Sequence, residues 1–150
     1  MPVENTVDVA VCQRILSDDT SDDGSDLKTL TGPAFSRPDL LTMYNGQEDS
    51  TNNFPDMAYY SEEKNKFQDK RVSELTIRIR DNDQERVKLI RKRLIDLLTG
   101  PFEVRSTFQR IVPEGARIAS IQLSDEQDGV DTNTKVYFVT LVFLIRYVLV

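Results

Sequence analysis

Asp19, Ser21, Asp23 and Gly24 fall at the first, third, fifth and sixth positions of a calcium-loop pattern. Oxygen donors at alternate residues, with a glycine at the sharp turn, can wrap a hard cation. The closing position, where a bidentate Glu belongs, holds Leu30, and no helix–loop–helix frame follows. The stretch SDDTSDDGSD therefore reads as a solvated acidic loop in which Asp18, Asp19, Asp22, Asp23 and Asp26 repel one another. It is a candidate surface for a partner. Glu62-Glu63 pairs two carboxylates, but nothing around them would raise one pKa for acid/base work. Arg86, Lys88, Arg91, Lys92 and Arg93 could meet phosphate, yet Glu85 and Asp96 interleave them as on a solvated helix face.

The chain contains no His, which removes imidazole catalysis and His-based metal sites. Its single Cys12 cannot form an intrachain disulfide and reads as a small buried residue on an early helix. Nucleophile-elbow, Walker and dinucleotide glycine patterns are lacking. No catalytic residue, metal or cofactor is assigned, and an enzyme is not expected. The N-terminus MPVENTVD lacks a signal peptide's basic-then-apolar layout, so a reducing cytoplasm is the expected place of synthesis.

At 150 residues the chain fits one domain, and 39% hydrophobic with 29% charged residues is ordinary globular composition. The net charge of −6 argues against general nucleic-acid binding, which needs an excess of Lys and Arg. Residues 1–70 hold 14 acidic and 6 basic side chains, whereas 71–150 hold 11 and 13. Such asymmetry can orient one copy against another.

Which elements would position these residues? Val7, Ala10, Val11 and Ile15 recur at helical spacing, and Asn5 can cap a helix over 5–16. Residues 17–53 read as a long irregular insertion, broken by Leu27–Leu30 and Leu40–Tyr44. FPDMAYYSEE (54–63) reads as a short strand and KNKFQDK as a charged gap. In RVSELTIRIR (71–80), Leu75, Ile77 and Ile79 face one way, while Glu74, Thr76, Arg78 and Arg80 face the other. A helix follows, with Asn82 and Glu85 as a capping box, Val87, Ile90, Leu94, Leu97 and Leu98 as its apolar face, and Thr99-Gly100-Pro101 as its stop. Leu89 on the polar side and Arg91 near the apolar side hint at a second surface. Residues 102–112 and 116–124 read as strands, the latter with Ala119, Ile121 and Leu123 alternating, and 124–134 as a polar turn.

The run VYFVTLVFLIRYVLV (136–150) is too short for a membrane helix and is interrupted by Arg146. Its β-branched and aromatic content makes it a strand. Both faces are apolar, so both should be covered, and a strand of roughly 50 Å exceeds what one small domain covers. Another copy is the expected source of the remaining cover. The fold expected is α+β: one domain with a mostly antiparallel or mixed sheet of four to five strands, packed by two helices.

The order of elements, with FPDMAYYSEE, ELTIRIR, DNDQERVKLIRKRLIDLLTG and VYFVTLVFLIRYVLV in succession, resembles the tail-terminator or tail-completion proteins of long-tailed bacteriophages. The likeness covers residues 54–150 best and lies in arrangement rather than in an invariant motif. It implies a ring of identical subunits, usually six, in the virion neck and assembled in the host cytoplasm. Its implied partners are the tail tube protein, a neck or connector protein, and a sheath protein if the tail contracts. DNA would pass through without specific binding, the resemblance implying an acidic partner or lumen loop at Asp18, Asp19, Asp22, Asp23 and Asp26, and no membrane is involved. Candidate subunit or partner contacts are Arg78, Arg80, Leu89, Arg91, Phe143, Ile145, Arg146 and Tyr147. Two alternatives stay open: another neck component, such as a head–tail joining or stopper protein, and a ferredoxin-like regulatory module that dimerises through its sheet.

Overall fold

The computed structural model describes residues 56–99 and 115–150, together with Val7, Ala10, Val11, Ile15 and Leu30. Four strands, β1 (Asp56–Phe67), β2 (Lys70–Asp81), β3 (Ala116–Asp131) and β4 (Val136–Leu149), form an antiparallel sheet in the order β1-β2-β4-β3. One helix, α1 (Gln84–Thr99), lies between β2 and β3 in the chain. The class is α+β. Cys12, the Asp18–Asp26 cluster and the strand expected over 102–112 lie outside the described residues.

Alternation decides which side of the sheet is dry. Leu75, Ile77 and Ile79 of β2 stand opposite Phe143, Leu141 and Val139 of β4, and all six are buried. Val87, Ile90, Leu94, Leu97 and Leu98 of α1 close over them, the helix face that the 3.6-residue period requires. Val7, Val11 and Ile15, which have helical backbone at i, i+4, i+8 spacing, join the same core. Leu30, at the end of the Leu27–Leu30 break in the expected insertion, has helical backbone and packs against this core.

Two boundaries differ from the sequence reading for one physical reason. β1 runs on through the supposed charged gap to Phe67 and turns at Gln68-Asp69, with Gln68 in the left-handed region at φ 54°. β3 likewise continues through the supposed polar turn to Asp131. Both are outer strands among those described, and an outer strand needs no apolar alternation when its side chains meet water. The real turn is 132–135, where Asp131 Oδ1 accepts the Asn133 N–H at 3.0 Å and the Asp131 carbonyl accepts the Lys135 N–H at 2.7 Å. In β3 the bulge between Ile118 and Ser120 resets the alternation, so Ala119 is exposed while Ile118, Ile121 and Leu123 pack on the core.

The helix cap is also displaced by one residue. Asp83, not Asn82, accepts the N–H groups of Glu85 (3.1 Å) and Arg86 (3.3 Å) on Oδ1. Its carbonyl takes the first helical hydrogen bond from Val87. A carboxylate at that end satisfies two orphan donors and meets the positive end of the helix dipole. We expect Asp83→Ala to lower stability by about 1 kcal/mol in urea unfolding.

Candidate interaction face

Phe143, Ile145 and Tyr147 stand on the α1 side of β4 and are at most 1% exposed. They cannot touch a neighbour; their apolar character serves the interior. The residues between them point to the opposite face, where pairing partners cannot be read from periodicity. Cross-strand register supplies them: Arg80 with Phe138, Arg78 with Thr140, Thr76 with Val142, Glu74 with Leu144 and Val72 with Arg146.

This outer face carries a stripe of half-buried apolar side chains along β4, namely Phe138, Val142, Leu144 and Val148. Tyr60 of β1 continues it at 45% exposure beside a buried Thr76. At the far end, Phe67 shares the row of Lys70 and Val148 and is 67% exposed. Among the described residues no helix or strand is layered over this face, whereas α1 covers the other. A half-wet apolar stripe flanked by charge is the expected look of a contact surface.

Three strands are tied together across it. The Arg78 guanidinium lies over the Phe138 ring, 4.7 Å from its centroid. The other neighbour of Phe138 is Gly129, and a Cβ there would sit 2.6 Å from the ring's Cζ. The glycine is thus the floor on which the ring rests. Gly129→Ala must push Phe138 off its place, and we expect a loss of about 1–3 kcal/mol in chemical denaturation. Arg146, exposed on β4, donates from Nη1 to Gln122 Oε1 on β3.

Three candidates remain. Arg80 is half-buried on the outer face. Leu89 is 48% exposed on the solvent side of α1. Arg91 reaches β3, where Nη2 and Nε stand 2.7 and 2.8 Å from Glu126 Oε2. With Gln127, Asp128 and Val139 this pair lines an open cleft of about 230 Å³. Both partners are more than a third exposed, so the pair holds the β3–β4 hairpin to α1 only weakly.

A tighter joint sits at the start of the helix. Asp81, wholly buried at the end of β2, receives Nε and Nη2 of Arg86, the latter at 2.7 Å on Oδ1. The hydrogen bond to Asp81 raises the guanidinium above its ordinary value. Asp81 Oδ1 also accepts the Asp83 N–H at 3.3 Å. Sequence reading missed this pair because Asp81 sat one residue past the expected strand end.

Among the described residues no cluster of three or more His, Cys, Asp or Glu side chains could hold a metal. No helix among them is long and apolar enough to cross a membrane. No protein-family model matches the chain, and no curated protein matches it. The fold class is therefore what is defined: α+β, a four-stranded antiparallel sheet with one face under a helix and, among the described residues, no helix or strand over the other.

Proposed function

We propose that the protein is a structural subunit of a bacteriophage tail or neck, a ring-forming terminator that caps the tail tube and joins it to the head connector. The observation that carries this reading is the second apolar row of β4, half-buried and without a covering layer among the described residues. A subunit whose work is to be covered by neighbours needs such a row. The reading is supported further by a sequence without assigned catalytic or cofactor residues. Its partners are identical subunits in a ring of six, then the tail tube protein, the neck connector, and a sheath protein where the tail contracts.

In this reading a helix over 5–16 adds a second packing layer, and the 17–53 insertion lies on a neighbour. DNA passes through the ring, and the acidic balance of the chain keeps it from sticking. The test is to mix the purified protein with tail tubes that lack a terminator and image the tube ends by electron microscopy. Rings seated on the ends are expected; tubes left bare at every protein concentration would sink the proposal. Deleting residues 18–26 should leave the melting temperature unchanged while weakening attachment to the tube. A large fall in melting temperature would instead make that stretch part of the folded core.

A further inference from the structure

We infer that the acidic stretch 17–26 of one copy docks on the basic end of the outer face of another copy, between Lys70, Arg117 and Arg146. The inference deepens the ring reading by naming a contact between subunits, and it rests on that reading for the way the contact repeats.

Two adjacent rows of side chains end the outer face beside the β1–β2 turn. The last holds Phe67, Lys70, Val148 and Arg117, and the one before it Asn65, Val72, Arg146 and Ser120. Neither row contains Asp or Glu; Asp69 lies in the turn itself. Lys70, Arg117 and Arg146 are exposed, and among the described residues no salt bridge neutralises any of them. The bond from Arg146 goes to the neutral amide of Gln122. Lys70 and Arg117 flank Val148 from the strands on either side, about 10 Å apart, and Arg146 stands about 7 Å from Val148 along β4. The middle of the face is different. Ala58 and Thr76 are already buried there, and Glu74 has Lys64 at 3.8 Å. Unmatched charge is left at the basic end.

The chain supplies the counterpart. SDDTSDDGSD carries Asp18, Asp19, Asp22, Asp23 and Asp26 and no Lys or Arg. In an extended peptide Asp19 and Asp22, or Asp23 and Asp26, stand about 10 Å apart, the separation of Lys70 from Arg117. Ile15 and Leu30, which bound the stretch, both belong to the core on the α1 side of the sheet. Its attachment points are thus on the side away from the basic end, and a second copy brings the two together. Unlike patches on different sides of one subunit make a heterologous contact, which closes into a ring when the rotation allows. A contact this small is weak alone, and repetition round a ring multiplies it.

The experiment is zero-length cross-linking of the full-length protein with a carbodiimide, which joins a Lys amine to a carboxylate it touches. Equal amounts of unlabelled and heavy-isotope-labelled chain are mixed, cross-linked at low salt, cut with trypsin and read by mass spectrometry. Lys70 is expected to join the peptide spanning residues 15–28, whose only side-chain carboxylates are Asp18, Asp19, Asp22, Asp23 and Asp26. Light–heavy products should equal the light–light and heavy–heavy products combined, as contact between copies requires. Added salt should abolish them. Arg117→Glu and Arg146→Glu, each shown by thermal melts to be folded, should cut the yield at least about fivefold. If a reversal unfolds the chain, Arg117→Gln and Arg146→Gln carry the test. Products of one isotope only would place the stretch on its own chain and overturn the inference. The absence of any link from Lys70 to that peptide, or a yield indifferent to both Arg variants, would overturn it too. The tube-end test is independent: rings on tubes without light–heavy products would sink this contact alone, and bare tubes with them would sink the ring alone.

Discussion

We expect Phe143→Asp to yield no folded protein. The ring is wholly buried, directly opposite Leu75 of β2 and Leu123 of β3, at the middle of the sheet under α1. Replacing it removes one of the largest fully buried side chains and places a carboxylate among apolar neighbours. Loss of a buried Phe side chain alone costs about 3–5 kcal/mol. An unpaired buried charge adds several more, against a total stability of about 5–15 kcal/mol for a domain. Phe143→Ala is the graded companion: it should fold and lose about 3–5 kcal/mol in urea. Circular dichroism and solubility decide the first variant. A soluble, cooperatively melting Phe143→Asp protein would mean that β4 presents its other face to the core.

The second large effect is at Asp81 and Arg86, and its two halves are unequal. Asp81→Asn should cost roughly 3 kcal/mol, the low end of the range for breaking a buried pair. The abandoned guanidinium is 32% exposed and can turn to water. Arg86→Met should cost more, up to roughly 5 kcal/mol, because it strands a carboxylate with no exposure at all. Added salt should change neither loss much, since screening hardly reaches a buried pair. Urea unfolding of both variants checks the order; an equal loss, or a larger one for Asp81→Asn, would show that hydration of Arg86 is not what separates them.

How far the sequence could be read follows from where each residue's constraint comes from. The α1 core face was legible in full, because Val87, Ile90, Leu94, Leu97 and Leu98 obey one helical period and are all buried. The alternation of β2 was legible for the same reason, with a period of two. The outer halves of β1 and β3 were not, since Lys64 or Asp128 can sit in a strand that faces water as readily as in a turn. Phe143, Ile145 and Tyr147 were assigned to a partner when they belong to the core. Periodicity sorts residues into two faces but does not say which face the helix will take. The pairing of Glu74 with Leu144, and the seat of Phe138 on Gly129, depend on register between distant segments and leave no local trace.

The strand order also sets a timetable. β2 is made early, yet its partner on one side, β4, is made after every other strand of the sheet. Lys70 must wait for Val148. During synthesis the β1–β2 hairpin and α1 can form, but the apolar side of β2 has only half its sheet and an open edge. Non-local pairing of this kind slows folding and exposes surface that aggregates. A chain made only as far as residue 135 therefore presents a sticky half-sheet, and β4 is the segment that closes it.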